Sequence, residues 1–166
     1  MGKRSNFLRR KNDDYATPSV AVKPLLPFLG RTHGRFIEPC CGEGHLIDVL
    51  VLSGMECIQY SDMELDARRT QYDITDVDYF ITNPPWTREL LHPIIDNLRK
   101  QLPTWLLFDA DWMHTKQARP YLPFCDLIVS VGRVKWIPDS LYVGKDNSCW
   151  YKFINQETET TFVGPQ

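Results

Sequence analysis

Asn83, Pro84, Pro85 and Trp86 directly follow the apolar run Tyr79-Phe80-Ile81-Thr82, so an amide, two rigid prolines and an indole come together where a strand should end. That set of groups can hold a planar amine. The Asn83 side-chain oxygen and the Pro84 carbonyl can both accept from one NH2 group, and Pro84 has no N–H of its own. Trp86 can stack on the ring that carries the amine. Two acceptors aimed at one amine draw its lone pair out of conjugation and make the nitrogen nucleophilic, which is electrostatic preorganisation at the reacting atom. The tetrapeptide would serve equally as a turn followed by a core indole, so the rest of the chain must decide.

Arg35 to Leu50 reads as a short apolar strand, a Gly-containing turn entered by an acid, and an amphipathic helix. Gly42 and Gly44 allow a tight turn and a close backbone approach, and the helix amides beyond them are donors. The run Glu38-Pro39-Cys40-Cys41-Gly42-Glu43-Gly44 lacks the third glycine of a dinucleotide turn and opens on a carboxylate. Glu38, placed at the mouth, suits a ligand with a cationic ammonium better than a pyrophosphate. S-adenosyl-L-methionine fits that description. Cys57 to Asp62 reads as a second strand ending in a carboxylate, with Met63 beside it, and Asp62 lies 20 residues after Gly42. An acid at that spacing is placed to accept from ribose hydroxyls. Asp73 is the candidate acceptor for the adenine amine of the cofactor, with Asp76 and Asp78 as alternatives.

In order and spacing these elements resemble the adenine-N6 DNA methyltransferases with an Asn-Pro-Pro-aromatic motif, and among them the compact phage and prophage enzymes, from about Tyr15 to Phe153. Asp14-Tyr15-Ala16-Thr17-Pro18, followed by Val20, Val22, Leu25 and Leu26, is similar to the N-terminal motif of that family. The resemblance implies that Tyr15 and Thr17 close over the methionine end of the cofactor. The same residues also read as a helix start, with Thr17 as N-cap and Pro18 in the first helical position. The implied fold is a Rossmann-like class I methyltransferase: α/β, with a mostly parallel seven-stranded sheet, its last strand antiparallel, and helices on both faces.

The remaining elements complete that sheet. If Tyr79–Thr82 is a fourth strand, then Arg88 to Lys100 is the helix to a fifth at Trp105–Phe108, Leu127–Val131 is a sixth and Tyr151–Ile154 the last. Pro93 weakens the start of that helix. Only 45 residues separate Glu38 from Asn83, and 80 follow Trp86, which leaves no room for a separate target-recognition domain. The expected organisation is a basic arm over residues 1–13 and one catalytic domain over 14–166. The stretch from Asp62 to Asp73 is short for a helix plus a strand, so the wall beside the cofactor adenine is expected to be abbreviated or completed by another subunit.

Composition agrees with one compact domain, since 43% hydrophobic content in 166 residues can bury a core. No apolar run approaches the ~18 residues needed to cross a bilayer, so no membrane partner is expected and the location is cytoplasmic, in a bacterium or a phage-infected host. Five cysteines without a C-x-x-C pair suit reduced thiols, with Cys40 and Cys41 as small residues packed under the cofactor. With 19 basic and 21 acidic side chains the net charge is −2, so any attraction to DNA phosphates must be local. Lys3, Arg4, Arg9, Arg10 and Lys11 form one basic group and Lys116, Arg119, Arg133 and Lys135 a second. The first reads either as a phosphate-binding arm or as a solvated tail.

The stretch from Arg133 to Trp150 resembles the loop before the last strand in the phage-type enzymes. Its aromatics, Trp136 among them, together with Trp86 and Trp112, are candidate walls for a base pulled from its stack, where stacking contributes ~1–3 kcal/mol per base. The resemblance implies transfer of a methyl group to a flipped adenine, with Asn83, Pro84, Pro85 and Trp86 as catalytic residues, no metal and no protein nucleophile. His33, His45, His92 and His114 have no ligand or triad spacing. Competing readings are an RNA adenine or protein glutamine N-methyltransferase, and a non-catalytic subunit that binds the cofactor or DNA. A specificity subunit or a second copy of the chain are the further partners considered.

Overall fold

The computed structural model describes residues 16–30, 34–137, 144 and 146–165. Seven strands form one sheet: β1 (Arg35–Glu38), β2 (Glu56–Tyr60), β3 (Tyr79–Thr82), β4 (Thr104–Asp109), β5 (Cys125–Arg133), β6 (Asn147–Phe153) and β7 (Thr161–Val163). Their spatial order is β2-β1-β3-β4-β6-β5-β7, and every pairing is parallel except those of β6. The α-helices are α1 (Ser19–Val22), α2 (His45–Leu52) and α3 (Arg88–Leu98), with 3-10 turns at Lys23–Phe28, Ala110–His114, Lys116–Ala118 and Leu122–Phe124. No described helix is long and apolar enough to cross a membrane.

Strand alternation divides the core into two layers, because successive side chains leave a strand on opposite faces. Phe36, Ile81, Trp105, Leu107, Val129 and Trp150 pack with Ala21, Val22 and Leu25 and with Leu46 and Leu50 of α2. Ile37, Phe80, Leu106, Phe108, Ile128 and Tyr151 pack with Leu91, Ile94, Ile95 and Leu98 of α3. Helices therefore cover both faces, and the central strands read as continuous apolar runs, as a parallel sheet requires. Each large apolar side chain buried this way contributes roughly 1.5–3 kcal/mol. The fully buried Trp150 also donates from Nε1 to the Ala21 carbonyl at 2.8 Å, which fastens α1 to the sheet.

Three expectations are corrected. Tyr79–Thr82 is the third strand, because residues 62–78 contain neither helix nor strand. That segment is held by α3 instead: Asn97 Nδ2 donates to the carbonyls of Ala67 and Thr70 at 3.0 and 2.9 Å, and Ala67, Tyr72 and Val77 enter the α3 core. The second strand ends at Tyr60 and leaves Asp62 in the loop beyond it. The strand expected to be last is antiparallel, as anticipated, but it spans Asn147–Phe153 and is followed by β7, which pairs in parallel with β5. Pro93 sits inside α3 without ending it; four buried side chains, Leu91, Ile94, Ile95 and Leu98, hold the helix on the sheet despite the missing donor.

The chain leaves β1 toward β2 on one side and returns to β3 on the other. Such a reversal opens a crevice at the carboxyl ends of the two diverging strands. Glu38 ends β1 and Thr82 ends β3, so the two sequence motifs meet at that crevice.

Candidate active site

The turn after β1 is built by backbone geometry that glycine alone adopts easily. Gly42 and Gly44 have φ of 48° and 81°, and the Gly44 amide donates to the Cys41 carbonyl at 2.8 Å. A side chain at Gly44 would meet nothing within 4 Å, so the strain of its φ, rather than space, is what calls for glycine. Cys41 N–H donates to the Ser61 carbonyl and Ser61 N–H to the Glu38 carbonyl, at 2.9 and 3.0 Å. These bonds extend the β1–β2 pairing past the strand ends and bring Asp62 beside the turn.

One cleft collects most of the expected cofactor residues: Thr17, Glu38, Cys40, Gly42, Asp62, Met63 and Asn83, with Pro85 at its edge. Pro39 is buried in the turn beneath it. Ala16, Cys41, Glu43, His45 and Leu46 also line it. Cys41 was expected there, packed under the cofactor with Cys40; the other four were not, although Glu43, His45 and Leu46 lie in or just after the Gly-containing turn, and that adjacency was the available signal. Three carboxylates face this cleft and no lysine or arginine does, among the described residues. A cationic ligand fits such a lining and a pyrophosphate does not.

Glu38 departs from its expected place at the mouth. It is fully buried, and neither carboxylate oxygen has a hydrogen-bond partner among the described residues. Burial pushes its carboxyl up to about 8; the Thr82 hydroxyl and the Cys40 amide oppose the shift, without forming aligned hydrogen bonds, and Asp62 adds to it. Burial likewise pushes the Cys40 thiol up, so it is packing rather than a nucleophile.

Asp73 is not brought to the cleft. It is exposed, and hydrogen bonding by the Thr75 hydroxyl and then by the Thr75 amide, at 3.0 Å, favours its charged form. Asp78 accepts from the Arg35 amide at 2.8 Å and Asp76 lies 3.7 Å from the Arg35 guanidinium, so both sit at the amino end of β1, away from Glu38. None of the three candidates for the adenine acceptor lines this cleft.

Asn83 follows β3 and is half-buried. Its Nδ2 donates to Thr17 Oγ1 at 3.1 Å, and Trp86 Nε1 donates to Asn83 Oδ1 at 3.1 Å. Thr17 is therefore not the N-cap of α1; Pro18 holds that position, and the hydroxyl serves Asn83 instead. Trp86 is half-buried and meets Trp136 edge to face, with centroids 5.6 Å apart at 84°. Trp112 and Trp150 are not walls of this site. Trp112 is buried among Phe108, Tyr151 and Phe153 and donates to His92 Nε2 at 3.0 Å, while Trp150 lies in the opposite core layer.

Solved structures of other proteins share the fold. No protein-family model and no curated protein sequence matches the chain. It superposes on a proposed RNA methyltransferase from Pyrococcus horikoshii at a TM-score of 0.53, with 17% identity and 94% of each chain covered. The methyltransferase subunit of a type I restriction-modification system from Streptococcus thermophilus gives 0.54 at 11% identity, over 90% of this chain and 47% of that one. A proposed class I S-adenosylmethionine-dependent methyltransferase from Listeria monocytogenes gives 0.52 at 10%, over 93% and 67%. The fold is that of the class I methyltransferases. Identities this low establish the fold and leave substrate to the site itself.

Of the basic candidates, Arg133 and Lys135 are exposed at the end of β5, beside Trp136. A bulge between Ser130 and Gly132, with Gly132 at φ 84°, bends the strand just before them. Lys3, Arg4, Arg9, Arg10, Lys11 and Tyr15 lie outside the described residues.

Proposed function

We propose that this protein transfers a methyl group from S-adenosyl-L-methionine to the exocyclic N6 amine of adenine in DNA, as an enzyme of the compact phage type. The observation that carries this reading is the meeting of the Asn83-Pro84-Pro85-Trp86 motif with an acidic cleft at the carboxyl ends of β1 and β3. When bound, the cofactor supplies an electrophilic methyl group on a sulfonium. Glu38 and Asp62 would hold its cationic and ribose ends, with Gly42 and Gly44 shaping the turn that approaches it and Met63 packing at the rim.

The work of the protein at the target is positioning. Asn83 Oδ1 and the Pro84 carbonyl accept the two amine hydrogens, Trp86 offers a stacking face, and the half-buried setting keeps competing water from both acceptors. Contact between Thr17 and Asn83 supports DNA over RNA or glutamine as substrate, because the N-terminal segment that resembles the DNA-methylating family reaches the reacting amide. Trp136, Arg133 and Lys135 form the adjoining nucleic-acid surface, and Lys3, Arg4, Arg9, Arg10 and Lys11 add a phosphate-binding arm. A specificity subunit or a second copy of the chain completes the adenine wall that residues 62–78 leave without regular structure.

Incubation with labelled cofactor and, in parallel, duplex DNA, single-stranded DNA, RNA and protein extract, followed by nucleoside mass spectrometry, tests the reading. Label in N6-methyladenine from DNA is expected. Label in RNA or protein with none in DNA would replace it.

A further inference from the structure

We infer that the indole N–H of Trp86 selects the orientation of the Asn83 amide, so that Trp86 is a positioning residue for the amide oxygen as well as a stacking surface. The inference rests on the proposed capture of an amine at Asn83 and deepens it. An indole nitrogen only donates, so the atom of Asn83 that lies 3.1 Å from Trp86 Nε1 must be the oxygen. The other end of the amide donates to Thr17 Oγ1. A hydroxyl can donate or accept, so Thr17 alone would tolerate the amide either way round. Trp86 does not. Turning the amide over would set Nδ2 against the indole N–H, donor against donor, while Thr17 could adapt by rotating its hydroxyl.

The oxygen has two lone pairs, of which the indole takes one. The other remains for an amine hydrogen. A flipped amide would present its own NH2 group to the target amine and lose that acceptor. Trp86 is in turn held in place by the edge of Trp136, and the chain is closed behind Trp136: the Gly144 amide donates to the Val134 carbonyl at 3.0 Å, and a Cβ at Gly144 would lie 2.6 Å from that carbonyl oxygen and 3.3 Å from the Trp136 ring. Neither phenylalanine nor tyrosine at position 86 would supply a donor at this point, because their rings carry no N–H. Stacking and orientation are thus separable jobs of one side chain.

The test replaces Trp86 by benzothienylalanine, which keeps the bicyclic shape and removes the N–H, and compares it with Trp86→Phe, Thr17→Val and Thr17→Ser. Two readouts are taken: the side-chain NH2 resonances of isotopically labelled Asn83, and the single-turnover rate of methyl transfer to an adenine-containing oligonucleotide. With the N–H removed, the Asn83 signals should shift or double and the rate should fall about tenfold, the equivalent of one oriented hydrogen bond, at unchanged cofactor affinity. Thr17→Val should cost less than this, and Thr17→Ser, which keeps the hydroxyl, should leave the Asn83 signals undoubled. Unmoved Asn83 signals with an unchanged rate, or a larger loss from Thr17→Val than from the Trp86 replacement, would overturn the inference. If the wild type methylates no adenine at all, the proposed activity fails while the Asn83 signals still decide the orientation.

Discussion

The Ser61 amide donates to the Glu38 carbonyl at 3.0 Å, and this bond sets the two acids of the cleft on neighbouring chain segments, Glu38 at the end of β1 and Asp62 just beyond β2. Their environments then diverge. Glu38 is buried and pushed toward its neutral form, whereas Asp62 is half-buried at the cleft wall. Two carboxylates so placed are suited to different parts of one ligand, the inner one to a cation and the outer one to hydroxyl donors.

Asp62→Ala should therefore weaken cofactor binding by about ten- to a hundredfold, the cost of losing charge-assisted hydrogen bonds of roughly 1.5–3 kcal/mol. Asp73→Ala should leave affinity unchanged, since Asp73 is committed to the Thr75 amide away from the cleft. Calorimetric titration of the two variants checks the pair. Equal losses from both would return Asp73 to the site.

A second expectation concerns pH. Glu38 has its carboxyl raised from 4.5 to about 8 in the fold, so between those values the folded chain holds a proton that the unfolded chain has released. Stability is then full below about pH 4.5 and declines as pH rises through about 8, by up to a few kcal/mol. Glu38→Gln, which is neutral throughout, should flatten that decline in thermal unfolding followed across pH. A ligand cation beside Glu38 favours the charged form, so binding should release a proton, seen as a dependence of calorimetric heat on the ionisation enthalpy of the buffer. A variant with the same pH slope as the wild type would remove Glu38 as its source.

The sheet was legible because its strands are apolar runs of the right length bounded by turns, and the cleft because glycine spacing and strand ends leave few alternatives. What escaped had physical reasons. β7 is three residues long and largely exposed, so no buried pattern marks it. The 62–78 segment is ordered by side-chain amides of Asn97 and Gln101 on and just after α3, bonds between residues about 30 apart that no local period reports. Trp112 and Trp150 look like Trp86 in sequence, and only the sheet decides which indole is core. Glu38 is an acid at a turn by sequence and becomes an orphaned buried carboxyl only once β2 and β3 close on either side.

Deleting residues 1–13 tests the basic arm by its salt dependence. Neutralising phosphates releases counterions, so the slope of log affinity against log salt should fall by roughly one unit for each phosphate that Lys3, Arg4, Arg9, Arg10 or Lys11 neutralises in the intact chain. Affinity for the cofactor should not change, because the cleft residues from Ala16 onward are retained. Filter binding over a salt series measures the slope, and an unchanged slope would make the arm a solvated tail.

The decisive substitution for catalysis is Asn83→Ala. It removes one of the two acceptors proposed for the target amine while leaving the Pro84 carbonyl in place. Thr17 Oγ1 and Trp86 Nε1 each lose a partner, but Thr17 retains the packing of its segment against the sheet through the buried Ala21, Val22 and Leu25, and Trp86 retains Trp136. Folding and cofactor affinity should accordingly survive. Methyl transfer should fall by about a hundred- to a thousandfold, on the order of 2.7–4 kcal/mol, by analogy with the loss of one preorganised donor in an oxyanion hole. Because the missing interaction is made most strongly as the amine lone pair leaves conjugation, the effect should appear in kcat more than in KM. Single-turnover transfer to DNA measured beside cofactor titration separates the two, and near wild-type methylation of adenine by the variant would refute the role assigned to Asn83.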